Sequence, residues 1–431
     1  MRTVLSADWV LPVEGPPIAN GAVAIEGDRI ADVGTVDELG EGTRHPESVI
    51  IPGFVNAHSH LEYAVYAGFG DGLGFVPWIE LHVERKARLS LEQMEDVARA
   101  GAADCLRSAI TTVGDASFKG ATATACDELG LRAIVYVEVF GASTEQIESR
   151  FGTIRDRIAG SLSDRVRLGI SPHSAYLASL ELWEEAVALG LPMATHFAES
   201  TAEAEYVNHR TGTFKPPLDA GPNSIRLLAE HGLLSNRLVA AHCVHVDAEE
   251  IRLLAEHDVA VAHCPRSNAI LGCGIAPLRE LREAGIRVAL GTDSPASTPS
   301  FDMFEELRTA LYAARAREED PEALSAAEAL ELATLGGARA LGIEAEVGSL
   351  APGKRADLAV LSFESSPFVP WEDPAAAVVL GGSPERVLLT VVDGEVRYEK
   401  GGTEWHELIA AAQRARHTAL QSAPASRVTH A

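Results

Sequence analysis

Along the middle of the chain, short apolar runs rich in β-branched residues recur. Each is followed by a polar residue and then by a segment rich in Ala, Leu and Glu. The runs are Ile50 to Ala57, Ile110 to Gly114, Ala133 to Val139, Val166 to Ile170, Pro192 to Thr195, Leu238 to Ala241, Val259 to Ala262 and Arg287 to Gly291. Runs of this length predict strands buried on both faces, and the segments between them predict helices. Eight strands alternating with helices predict a closed parallel (β/α)8 barrel, an α/β fold of the TIM type. An open doubly wound sheet shares the alternation but usually carries a glycine-rich phosphate loop after its first strand. None follows here.

The two ends are patterned differently. Ala22 to Ile25 and Arg29 to Gly34 flank the turn Glu26-Gly27-Asp28. Near the other end, Leu358 to Leu361, Val387 to Val392 and Glu395 to Tyr398 predict further strands, the last two around Asp393-Gly394. These predict a small β-sandwich domain assembled from residues 1–51 and 345–431, with the barrel spanning 52–344. Glu404 to Gln421 reads as a helix and the Ser/Ala/Pro-containing tail after it as frayed.

The candidate chemistry lies where the barrel strands end, because the following loops converge there on the barrel axis. Those ends carry His58 and His60, Asp115, Glu138, His173, His196 with Glu199, His242, His263 and Asp293. A random scatter of 15 histidines would not fall so regularly on one kind of position. In His58-Ser59-His60 the period of two puts both imidazoles on one face, which suits a divalent metal. Reading all these histidines as core residues would leave several unpaired imidazoles at one barrel mouth, which is costly.

Pro52-Gly53-Phe54-Val55-Asn56-Ala57-His58-Ser59-His60 resembles the opening motif of the amidohydrolase superfamily. The resemblance continues through Ser171 to Ser174, Thr195 to Glu199, Ala241 to His245, His263 to Asn268 and Gly291-Thr292-Asp293. Together these motifs are similar to its deaminase and chlorohydrolase branch. The resemblance implies one zinc per chain, held by His58, His60, His196 and Asp293, with Fe2+ as the alternative ion. Two-metal relatives bridge their ions with a lysine at the end of the fourth strand, where this chain has Ser171 and His173. Asp293 is also expected to accept a proton from the attacking water, and His242 to orient that water. Glu199 matches the glutamate that protonates a ring nitrogen in the deaminases and passes protons to the leaving ammonia. Chloride leaves without a proton, so Glu199 favours deamination over dechlorination.

For substrate contacts the expected residues are Glu62, Trp78, Glu138, His173 and Arg266, with Trp78 as a flat wall for a heterocycle. Deaminases of S-adenosylhomocysteine and methylthioadenosine usually have a glutamate before this tryptophan and an arginine late in the third strand. Here Pro77 and Glu138-Val139-Phe140-Gly141 stand instead. His60 to Tyr63, Phe75 to Ile79 and Glu138 to Gly141 resemble the aminodeoxyfutalosine deaminases more closely. An adenine-type nucleoside is therefore the expected substrate, with aminodeoxyfutalosine first. Arg266 is the candidate partner for its carboxylate.

Composition narrows the partners. With 62 acidic against 36 basic side chains the formal net charge is −26, which repels phosphate backbones and anionic lipid. Neither nucleic acid nor a membrane is an expected partner, while self-association into a homodimer is left open. The first residues lack the pattern of a signal peptide, and no apolar stretch approaches bilayer length. The five cysteines include no Cys-x-x-Cys pair, so a cytoplasmic setting is expected.

Overall fold

Eight parallel strands, Phe54–Ser59, Ile110–Ser117, Arg132–Val139, Val166–Pro172, Met193–Phe197, Leu238–His242, Ala260–His263 and Val288–Leu290, pair in chain order. A parallel bridge from Ser59 to Asp293 brings the first and last together. In this computed structural model residues 2–212, 214, 216, 218, 220–402 and 405–421 are described. Among them, no helix is long and apolar enough to cross a membrane.

The first apolar run is divided between two sheets. Thr43–Pro52 belongs to the terminal domain and Phe54–Ser59 to the barrel, with Gly53 between them donating to the Asp357 carbonyl at 3.0 Å. A Cβ on Gly53 would lie 2.1 Å from the Thr111 side chain, so the chain turns here only because the residue is glycine.

Strands from both ends form one hydrogen-bonded mixed sheet, ordered Glu395–Glu399, Val387–Val392, Leu358–Ser362, Thr43–Pro52, Arg2–Val10, Gly21–Glu26 and Arg29–Thr35. Ile18–Ala19 pairs with Arg2–Val10. One face buries Leu5, Val23, Ile25, Ile50, Leu358 and Val360. The final helix runs Trp405–Gln421; Glu404 and the tail beyond 421, expected to be helical and frayed respectively, lie outside the described residues.

Arg132, first in the third barrel strand, ties the barrel to this sheet. Its Nε donates to Asp357 at 3.0 Å and one Nη to Asp393 at 2.5 Å. The Arg132 and Asp357 side chains are only 4% and 1% exposed. Removing one member of such a pair strands a buried charge. Arg132→Met should therefore lower stability by about 3–5 kcal/mol. Urea denaturation checks this, and a loss near zero would show that the ion pair merely replaces its own desolvation cost.

Candidate active site

Alternation along the strands decides what reaches the barrel axis. Ile134 and Tyr136 lie in the interior cluster, as do Ala194 and Ala289. Continuing by twos from each leads to Glu138, His196 and, through Gly291, Asp293. Small apolar residues thus fill the lower barrel while polar ones stand at its mouth. Gly291 permits the closest approach, since a Cβ there would lie 2.8 Å from His58 Cβ. Backbone torsions at the mouth are unusual as well. Ala198, His242 and Asp293 have φ of 49°, 71° and 56°, a left-handed region that costs non-glycine residues energy and clusters at functional sites.

The structure brings His58, His60, His196 and Asp293 together. Candidate ligand atoms of His58, His60 and His196 lie within 4.8 Å of one another, as do those of His58, His242 and Asp293. His60 Nδ1 is 2.9 Å from the Ala116 carbonyl oxygen, and His196 Nδ1 is 2.6 Å from that of His173. A carbonyl only accepts, so each Nδ1 carries the proton and each Nε2 presents a lone pair. These two Nε2 atoms face each other at 3.3 Å. Asp293 Oδ1 lies 3.4 Å from His60 Nε2 and 3.6 Å from His58 Nε2, and the latter nitrogen is buried without a hydrogen-bond partner. Lone pairs converging in a buried space repel one another unless a cation sits among them, so the donor set fits a divalent metal.

The surrounding groups fix these atoms. Asp293 Oδ2 accepts from Ser267 and Ser297 hydroxyls, both at 2.7 Å, which leaves Oδ1 for the histidines. Burial would raise the Asp293 carboxyl, but the hydrogen bond with His58 and the charges of His242 and His60 hold it well below its usual range. Asp115 accepts from Ser59 Oγ at 2.9 Å and the Leu61 backbone at 2.7 Å, clamping the segment between and beyond the paired histidines.

Glu199 stands across from the cluster, its carboxylate 3.8 Å from His242 Nε2. Burial and then the Asp293 charge push the Glu199 carboxyl well up. Glu203 holds the turn that presents it, accepting from the Ala198 and Glu199 backbone N–H groups at 3.0 and 2.8 Å. His242 Nδ1 is 3.0 Å from Asn268 Oδ1, so it carries the proton, leaving Nε2 free to accept.

A cavity of about 490 Å3 opens onto these groups, lined by His60, His173, His196, Glu199, His242 and Asp293 and walled largely by aromatic side chains. Trp78 lines it, fixed by donating Nε1 to the Ala296 carbonyl at 3.1 Å. Glu138 is fully buried behind His173, 2.9 Å from its Nδ1 though poorly aligned for a hydrogen bond. It does not line the cavity. Burial raises this carboxyl, yet His173, Lys86 and His60 outweigh that and hold it at about 2.

Two expected substrate contacts are corrected. Glu62, 1% exposed, accepts from Ser117 Oγ at 2.5 Å and from the Lys119 and Ala121 backbone at 2.8 Å, so it caps the start of helix Ala121–Leu129. Arg266 points away from the cavity into the helix layer. Its guanidinium donates to Glu306 at 2.7 Å, Glu305 at 3.0 Å and the Ser300 carbonyl at 2.8 Å. Neither side chain is free to meet a ligand. Lys86, Phe118, Arg150 and Tyr176 line the cavity without having been expected there. Lys86 and Arg150 sit on helical turns away from any strand end, where no periodic cue marks them.

Comparison with known proteins extends this geometry. A sequence profile of the amidohydrolase family matches residues 49–397. The 5-methylthioadenosine/S-adenosylhomocysteine deaminase of Moorella thermoacetica is 34% identical over 407 residues, covering 91% of this chain and 93% of the relative. The 5'-deoxyadenosine deaminase of Methanothermobacter thermautotrophicus is 36% identical, covering 90% and 91%. Among solved structures, an adenosine deaminase from Xanthomonas campestris with bound zinc superposes with a TM-score of 0.87 at 27% identity, covering 97% of this chain and 98% of that one. A zinc complex of atrazine chlorohydrolase from Arthrobacter aurescens gives 0.83 at 24% identity, covering 96% and 100%, a likeness of fold. The histidines and aspartate gathered at the barrel mouth stand within the matched span, and the chain belongs to the amidohydrolase family.

Proposed function

We propose that this chain hydrolytically deaminates an adenine-type nucleoside carrying a 5′ substituent. The observation that carries the reading is Glu199: a buried carboxyl with its proton affinity raised, beside a metal-ligand cluster, opening into an aromatic cavity. Relatives named as deaminases of adenine nucleosides support it.

One zinc fits the four-residue donor set, and when bound there it supplies an acidified water as nucleophile. His58, His60, His196 and Asp293 would hold the ion, and zinc in the solved neighbours favours it over iron. Trp78 faces the purine. Glu199 donates its proton to the ring nitrogen next to the amino-bearing carbon, which makes that carbon electrophilic. Asp293 takes the proton lost by the attacking water, and His242 Nε2 accepts a hydrogen bond from the nucleophile. A carbon–oxygen bond forms and the carbon–amine bond breaks. The proton held by Asp293 leaves with ammonia, and Glu199 recovers its own from the ring nitrogen or the new hydroxyl. Five free, buried cysteines are consistent with a reducing cytoplasm.

Ammonia release by the zinc-loaded protein tests the reading, across adenosine, 5′-deoxyadenosine, methylthioadenosine, S-adenosylhomocysteine, aminodeoxyfutalosine, guanine, cytosine and a chlorotriazine. An adenine nucleoside should exceed every other class in kcat/KM by about tenfold or more, the scale of one lost hydrogen bond to a charged group. Chloride release without ammonia release would replace deamination by dechlorination. Within the nucleosides, aminodeoxyfutalosine is favoured, since Pro77 supplies no acceptor for a ribose diol.

A further inference from the structure

This inference rests on the nucleoside reading and concerns what the same cavity recognises beyond the purine. Lys86 ends the helix Phe75–Lys86, and Arg150 lies in the turn Ile147–Gly152; both line the cavity. The Lys86 ammonium donates to Tyr63 Oη at 3.3 Å. Its other neighbours are aromatic faces, with the nitrogen 4.2 Å from the Phe118 centroid, 5.5 Å from Phe140 and 5.7 Å from Tyr63. The Arg150 guanidinium carbon stands over the same two phenylalanines, at 4.5 and 5.3 Å. Arg150 Nε donates to the Glu138 carbonyl at 2.7 Å and one Nη to that of Phe118.

Two cations thus converge on one pair of rings. Buried ammonium and guanidinium groups normally meet a carboxylate, because an unpaired buried charge is expensive. Among the described residues neither forms an ion pair with one. The nearby Glu138 is turned to His173, and Glu62 is consumed in capping a helix. The aromatic faces compensate the charges only in part. Lys86 keeps N–H groups for an acceptor that the protein does not provide, at a surface the cavity exposes to its ligand.

We propose that Lys86, with Arg150 beside it, binds a carboxylate carried on the 5′ substituent of the nucleoside. Phe118 and Phe140 flank the carbon skeleton that bears it. A flat, aryl-linked carboxylate suits these rings better than a compact, heavily hydrated phosphate.

The test compares three substrates of the zinc-loaded protein: 5′-S-(4-carboxybenzyl)thioadenosine, its 4-methylbenzyl counterpart, and adenosine 5′-monophosphate. The carboxylate form should exceed the neutral one in kcat/KM by roughly ten- to a hundredfold, as for a hydrogen bond to a charged group. Lys86→Met should bring the ratio of the two within about threefold, and Lys86→Arg should retain most of it. A wild-type ratio at or below one overturns the proposal, as does an undiminished ratio in Lys86→Met. A preference for the monophosphate over the carboxylate overturns the assignment of ligand. The wild-type ratio needs no variant, so misfolding of Lys86→Met leaves the proposal testable. If no nucleoside is turned over, deamination fails separately. The same pair is then compared by titration calorimetry, where equal affinities would defeat the carboxylate site.

Discussion

Glu199→Gln is expected to keep its metal and its melting temperature while losing roughly 10²- to 10⁴-fold in kcat, the range for removal of a general acid. The amide matches the carboxyl in shape but has no proton to give the ring nitrogen. Burial and the Asp293 charge already hold the Glu199 carboxyl well above its ordinary range, so at neutral pH it keeps the proton that the reaction needs. The sign follows directly: the protonated form is the active one, and turnover declines as pH rises through the raised value. The alkaline limb assigned to Glu199 should be missing from the residual activity of the variant. A Glu199→Gln enzyme retaining most of its turnover on an adenine nucleoside would remove Glu199 from the proton path.

Stripping the metal should have a comparable effect. Elemental analysis of protein purified without chelator is expected to find close to one zinc per chain. Dialysis against chelator should then reduce activity by about a thousandfold or more, since the ion contributes several kcal/mol to such reactions. Melting temperature should fall too, because the bound ion stabilises only the folded chain. The facing Nε2 lone pairs of His60 and His196, 3.3 Å apart, give this loss a local cause. Two ions per chain would defeat the single-metal reading. If His60→Ala kept full occupancy, His60 would not be a ligand.

The barrel and the metal-ligand candidates were legible in the sequence because both follow from short-range order. An apolar run followed by a polar residue marks a strand end, and the period of two carries Ala194 to His196 on the same side. Arg266 shows where this reasoning stops. It follows a strand end, but Pro265 opens a helix there and the guanidinium reaches Glu305 and Glu306, some forty positions away. Chain position said that Arg266 was near the mouth and could not say which way it pointed. Glu62 failed similarly, since its role as a cap depends on where the Lys119 and Ala121 backbone comes to lie. Lys86 and Arg150 were hidden for the opposite reason. Basic residues on helical turns read as solvated surface until the tertiary structure turns them inward.

The bridge between Ser59 and Asp293, with the Asp293 backbone N–H on the His58 carbonyl at 3.0 Å, has a consequence for assembly. The candidate ligands come from the first, fifth and last strands, so an incomplete barrel holds at most part of the donor set. A nascent chain cannot present Asp293 to His58 until the strand Val288–Leu290 has been made and has found its place beside the first. Tight metal uptake therefore belongs to the end of folding, after the slow pairing of segments distant in sequence. Before that moment the paired histidines at 58 and 60 offer only weak, two-point chelation, which gives little protection against capture of other cations. Once the last strand docks, the ion bridges the seam of the barrel and opposes its reopening.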